Sequence, residues 1–287
     1  MYFILLYMYV YCEIQASGIN DILVVINKAL LYCNNHKRTL LVNGLKSVYK
    51  INFADYFNLS NKNVIFDIKK INKICNHKNY TIYPEALNYK MNEILNGIIT
   101  FNYSGEEGIF CYNGIKLTLP EDNRKENIII YNECFTGSGY TIFKELIFQP
   151  NIKEICIKRY NILKKPYLCI QIRNTDYKCD YISYFNTHEQ EIRLFQEIYI
   201  ATDDKKTLEF YREKGLSIQN FTTFSTNDKT WNLHQSNIDP YIKFIDLFSD
   251  IYIAGMSDKL MSNSCGGFIN LLRELNNNKI SLKKQLL

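Results

Sequence analysis

YLCIQIRNTD, residues 167–176, decides the architecture. Tyr167–Ile172 is apolar on both faces apart from Gln171, the pattern of a strand in a parallel sheet covered on two sides. At Arg173 the run turns polar. The same change occurs twice more. Glu197–Ala201 reads as a strand and ends in Thr202-Asp203-Asp204; Lys259-Leu260-Met261 ends in Ser262-Asn263-Ser264-Cys265-Gly266-Gly267. Helical periodicity is predicted over Lys205–Lys214, Pro240–Met256 and Gly267–Asn276. Alternating strands and helices predict an open parallel sheet. Ligands of such sheets lie beyond the carboxyl ends of the strands, so the three polar clusters are expected to converge on one crevice.

The N-terminal half repeats the logic less clearly. Tyr2–Val10 is an apolar run read as a strand, Ala16-Ser17-Gly18 a turn, Ile19–Cys33 a helix, and Arg38–Val42 a second strand. Val64–Phe66 and Ile98–Phe101 are short strand candidates, and Asn127–Tyr131 a stronger one leading into Thr136-Gly137-Ser138-Gly139. Helices are expected over Thr141–Phe148 and Ile152–Tyr160, with a boundary near Pro150. A chain of 287 residues suits two α/β domains, expected over 1–150 and 151–287.

Composition narrows the function. Net charge is +5, with no run of like charge and no basic stripe among aromatics, which speaks against a nucleic-acid partner. The four His (His36, His77, His188, His234) and nine Cys show no metal-ligand spacing, so no metal is expected. Scattered thiols suggest a reducing compartment. The N-terminal run is too short to span a bilayer and lacks a basic flank and cleavage site, so a cytoplasmic protein is expected. His234, near Trp231, reads as structural. The first strand–helix turn lacks G-x-G-x-x-G, which argues against a dehydrogenase.

Each cluster has a chemical reading and a plain one. Arg173 at the mouth of an apolar strand requires an anionic partner, and its planar fork suits a phosphate or an ion pair with Asp176. Of Asp203 and Asp204, one is expected to cap the following helix and the other to face a ligand. Ser262, Ser264, Cys265 and Gly266 form a small-residue loop at a helix N-terminus, where backbone N–H groups favour an anion. Lys243, Asp246 and Asp250 share a helix face; spacing alone favours a solvated stripe with a Lys–Asp pair. Gly18 and Asn20 lie at the first strand–helix turn, a phosphate or acceptor site or a simple cap.

Taken in order, IQIRNTD (170–176), IYIATDD (198–204) and DIYIAGMSDKLMSNSCGGF (250–268) resemble the three motifs of the α1,6-/α1,2-/protein O-fucosyltransferase group, most nearly its α1,6- and nodulation chitooligosaccharide members. SGINDIL (17–23) followed by KRTLLV (37–42) is similar to the same group's N-terminal domain. The resemblance implies a GT-B fold: two Rossmann-like domains with parallel sheets facing an interdomain cleft, acceptor on the first, nucleotide-sugar on the second. It implies inverting, metal-independent transfer of fucose from GDP-fucose to a glycan hydroxyl, without a cofactor. Arg173 then matches the arginine on the β-phosphate, Asp203 and Asp204 the acidic pair, Asp250 the guanine-reading aspartate, and Ser264, Cys265 and Gly266 the diphosphate loop, with Ser262 at its start. Gly18 and Asn20 are similar to the turn facing the donor. The group usually has His where Gln171 stands and a basic residue at Asn174. No residue matches a catalytic base; Asp176 and Asp180 are candidates by position. Another nucleotide-sugar, or an inactive nucleotide-binding paralogue, are the alternatives.

Overall fold

The computed structural model describes residues 8–15, 18–77, 79–105, 108–133, 137–174, 178–225 and 236–286. The chain divides into two compact units, Met1–Ile147 and Phe148–Leu287.

In the first unit, β1 (Tyr9–Glu13), α1 (Ile19–His36) and β2 (Thr39–Asn43) open an alternation of strand and helix that continues through β3 (Phe57–Leu59), β4 (Val64–Ile65), α2 (Ile68–Cys75), β5 (Ile82–Tyr83) and α3 (Met91–Leu95). A small antiparallel sheet follows, β6 (Asn102–Tyr103), β7 (Phe110–Tyr112) and β8 (Ile115–Lys116), then β9 (Ile128–Tyr131), α4 (Tyr140–Phe143) and β10 (Leu146–Phe148). The main sheet runs β4-β2-β1-β9-β5, every neighbour parallel. Tyr9 and Tyr11 project into a core with Leu41, Ile71, Ile128 and Ile130, and by strand alternation Val10 and Cys12 fill the opposite face.

In the second unit, α5 (Pro150–Ile162), β11 (Tyr167–Ile172), α6 (Tyr181–Ile192), β12 (Glu197–Thr202), α7 (Lys205–Glu213), β13 (Ile218–Gln219), α8 (Pro240–Met256), β14 (Lys259–Ser262), α9 (Gly267–Asn277) and α10 (Lys279–Leu286) form a parallel sheet of order β13-β12-β11-β14. Leu168, Ile170, Ile172, Ile198 and Ile200 pack with Phe185, Leu208 and Tyr211 of α6 and α7. The alternate residues turn the other way, where the Tyr167 hydroxyl donates to the Ile253 carbonyl of α8 (2.6 Å). Strand order reverses between β11 and β14, the topological switch point at which doubly wound sheets bind ligands.

Two α/β units with parallel sheets are what the sequence predicts. Three local expectations need correction. The first strand is Tyr9–Glu13 rather than Tyr2–Val10, because its pairing register with β2 and β9 carries through Cys12 and Glu13; residues 1–7 lie outside the described residues. Ile98–Phe101 is not a strand: Ile98 is exposed on a turn, and pairing begins at Asn102. Thr141–Phe148 is not one helix. It stops at Phe143, and Leu146–Phe148 pairs with β3. Among the described residues no helix is long and apolar enough to cross a membrane.

Candidate functional site

The carboxyl ends of β11, β12 and β14 are stitched together by the side chains that the sequence singled out. At the switch point, the Ser262 hydroxyl donates to Gln171 Oε1 (2.7 Å) and accepts from the Ser264 N–H (3.0 Å). The Arg173 N–H donates to Ser264 Oγ (3.1 Å), and Cys179 Sγ lies 3.5 Å from that oxygen. This draws the start of the Arg173 turn against the Ser262–Gly266 loop. On the other side, the Asn174 N–H donates to Asp203 Oδ1 (2.9 Å) and its side-chain amide to Asp204 Oδ2 (2.7 Å). Arg173 thus sits, partly buried, on a backbone held from both flanks.

Of the two aspartates, Asp204 is the one that caps the following helix. It accepts from the Lys206 N–H (3.1 Å) and Thr207 Oγ1 (3.0 Å) of α7, while also holding Asn174. Asp203 holds the Asn174 backbone. Chain that leaves a strand end needs acceptors for its N–H groups, and at Asn174 these carboxylates supply them.

The N-terminus of α9 is different. Helices α2, α6, α7 and α8 each begin at an aspartate that accepts backbone N–H groups of their first turn. Helix α9 begins at Gly266, which has no side chain to cap it, and its first turn holds no acid. Gly266 has φ 113° and ψ −177°, a conformation open essentially to glycine alone. Helix N-terminal N–H groups beside an arginine make an anion site. Cys265 and Gly266 are exposed there, and Ser264 is buried.

Helix α8 also departs from expectation. Lys243, Asp246 and Asp250 are not a solvated stripe with a Lys–Asp pair. Lys243 and Asp246 are buried because this face packs inward; Lys243 Nζ donates to the Ser236 carbonyl (2.6 Å), and Asp246 pairs with Arg159 of α5 (2.7 Å). The Asp250 carboxylate accepts from the Tyr199 hydroxyl of β12 and from Thr222 Oγ1 (3.4 Å). Burial pushes its pKa up to about 7, opposed by the Tyr199 hydrogen bond. A carboxyl whose pKa is higher folded than unfolded holds its proton more tightly in the native state, so this group's contribution to stability declines as pH rises from about 4 to about 7. Melting curves should show that decline in the parent, and Asp250→Asn should remove it while keeping an acceptor for Tyr199; an identical pH dependence in both would refute the assignment.

In the first unit, Gly18 is the N-cap of α1. Asn20 is buried and already engaged: its amide donates to the Gly137 carbonyl (2.9 Å) and its oxygen accepts the Gly139 N–H (2.9 Å). A Cβ at Gly139 would lie 2.7 Å from Leu23 Cβ, so only glycine lets this turn approach α1 so closely. Asp180 caps α6 through the Ser183 N–H (2.9 Å), which lowers its pKa and makes it a weaker base. Asp176, Ser17, Trp231 and His234 lie outside the described residues. Among the described residues no three His, Cys, Asp or Glu side chains gather as a metal site.

No family model and no curated protein matches the chain. Solved structures do. The NodZ α-1,6-fucosyltransferase soaked with GDP-fucose superposes with a TM-score of 0.60 at 12% identity, covering 94% of this chain and 92% of that one. Fucosyltransferase NodZ from Bradyrhizobium gives 0.55 at 13% identity, covering 88% of each. POFUT1 in complex with GDP-fucose gives 0.54 at 13% identity, covering 94% of each. The chain has the fucosyltransferase fold. Within that fold, Arg173, the Ser262–Gly266 loop and the uncapped end of α9 occupy the strand ends of the second unit's switch point. The residues that sequence reasoning missed are Arg159, Thr222 and Thr223. No motif marks them: the packing of α5 on α8 brings Arg159 to Asp246, and the segment that follows β13 brings Thr223 to Asp246 and Thr222 to Asp250.

Proposed function

We propose that the chain is an inverting glycosyltransferase that moves fucose from GDP-fucose to a glycan hydroxyl, with the nucleotide-sugar on the second unit and the acceptor on the first. The observation that carries this is the pairing of Arg173 with the uncapped N-terminus of α9 at the β11–β14 switch point. A sugar nucleotide reacts by losing its diphosphate from C1 as positive character builds on the sugar ring. The step therefore needs donors aimed at the departing oxygens. A guanidinium and main-chain N–H groups fixed before the reaction supply these without reorganising. No metal is assigned a role. The fold shared with NodZ and POFUT1, whose solved structures were obtained with GDP-fucose, supports GDP-fucose as the donor.

Thermal denaturation of the full chain with GDP, UDP or dTDP tests the donor. GDP should raise the melting temperature most, since a ligand at 100 times its Kd adds about 2.7 kcal/mol. Gly266→Val should abolish that rise, because a β-branched residue cannot adopt the Gly266 backbone conformation. Equal shifts with all three nucleotides would sink the GDP assignment. Release of fucose from GDP-fucose, with and without chitooligosaccharide, then tests turnover.

A further inference from the structure

We infer that the partly buried pair Arg159–Asp246 is a positioning device for the nucleobase, acting through the segment Asn220–Thr223. This rests on the nucleotide-sugar reading of the second unit. Asp246 is 2% exposed and its Oδ1 accepts from Arg159 Nη1 (2.7 Å), which also donates to Ser249 Oγ (3.0 Å). Arg159 itself is partly exposed; an ion pair with one partner buried adds little stability beyond what apolar side chains of the same volume provide, so its distinctive effect is to hold a geometry. Here the second oxygen shows what is held: Asp246 Oδ2 accepts the Thr223 N–H (2.8 Å).

Thr223 belongs to a segment that leaves β13 at the carboxyl side of the sheet, and that segment is tied to β12 and α8. The Asn220 amide donates to the Ile200 carbonyl of β12 (2.7 Å), and its oxygen accepts the Thr222 N–H (3.0 Å). Thr222 Oγ1 reaches Asp250 (3.4 Å). The Phe221 ring lies 5.8 Å from that of Tyr199, with the Arg159 guanidinium 5.5 Å from its centroid. Arg159 thus touches the segment directly through Phe221 and indirectly through Asp246.

The ligand class follows from distance along the sheet. The diphosphate site lies at the β11–β14 end. Strands are about 4.8 Å apart, so the end of β13 is roughly 10 Å away. In doubly wound sheets the ribose is met at the end of the second strand. The next strand end, β13 and its Asn220–Thr223 continuation, is then within reach of the base. The described hydrogen bonds of Arg159 and Asp246 run to each other, to Ser249 and to Thr223, and none runs to the Ser262–Gly266 loop. They set where the base-side wall stands, and so they act on nucleoside recognition and not on diphosphate binding.

The test uses the full-length double variant Arg159→Met/Asp246→Leu, which removes both charges and avoids stranding either one. Calorimetry should show GDP affinity falling at least tenfold while inorganic pyrophosphate affinity stays within twofold of the parent. Arg159→Lys should lie between the two. Hydrogen exchange of the ligand-free protein should show amides 220–224 opening at least tenfold faster, a readout that needs no nucleotide. Unchanged GDP affinity, a parallel loss of GDP and pyrophosphate, or unchanged exchange at 220–224 would each overturn the inference. A parent that binds pyrophosphate but not GDP would also overturn it. A parent that binds neither refutes the nucleotide-sugar reading itself, and this inference with it, whereas the exchange result would still report whether the pair clamps the segment.

Discussion

Arg173→Ala should lower kcat for transfer from GDP-fucose by two to three orders of magnitude while leaving the melting temperature within a few degrees of the parent. One donor aimed at developing charge in a preorganised site lowers the barrier by about 3–4 kcal/mol. Stability should barely change, because the backbone around Arg173 is held by other groups: Ser264 takes its N–H, and Asp203 and Asp204 hold Asn174 next to it. The substitution therefore removes the charge and leaves these backbone ties in place. Single-turnover kinetics should place the loss in the chemical step, with GDP-fucose binding weakened by less than kcat. An Arg173→Ala enzyme with near-parental kcat would remove the proposed role of the guanidinium.

The second large effect concerns the other unit. Arg38 is 1% exposed and lies between the first and second strands' amino ends. Its guanidinium donates to the carbonyls of Tyr9 (3.3 Å), Glu126 (3.0 Å) and Arg124, and to Asn123 Oδ1 (3.4 Å). One side chain thus satisfies the turn leading into β9 and ties it to β1, the central pair of the sheet. Arg38→Met keeps much of the volume and removes every donor. The Tyr9 carbonyl is buried and the Glu126 and Arg124 acceptors partly so; each one left out of reach of water without a partner costs about 1–3 kcal/mol. The sum is on the order of 3–5 kcal/mol, and the first unit should melt about 10 °C lower. Arg38→Lys should recover part of this, since an ammonium reaches fewer of the four acceptors. A first unit that melts within about 2 °C of the parent after Arg38→Met would show that the carbonyls find other donors.

Much of this was legible in the sequence, and the limits have physical causes. Strands β11 and β12 announce themselves because a strand covered on both faces must be apolar throughout, and the switch to Arg173 or Thr202 marks where the sheet ends. The segment between β2 and β9 did not, because its strands are two or three residues long and show no period. At the candidate site, residue types were legible and roles were not. Asp203, Asp204, Gln171 and Ser262 all stand at strand ends, as predicted, yet each hydrogen-bonds another member of the cluster. A string of letters does not distinguish a carboxylate aimed at a ligand from one aimed at the next turn. Arg38 was read as a strand residue; its buried fork depends on carbonyls about 86 residues away in the chain.

The glycine start of α9 has a consequence for how such proteins can be recognised. Peptide amides are common to every amino acid, so a cradle built from them asks only that the chain follow one path, and at Gly266 that path asks for the smallest residue. Apart from Ser262 and Ser264, whose hydroxyls tie the loop to Gln171 and the Arg173 backbone, the remaining letters of the loop can drift without disturbing the cradle. Shape then outlives spelling, as the full-length structural likeness to fucosyltransferases at 12–13% identity illustrates.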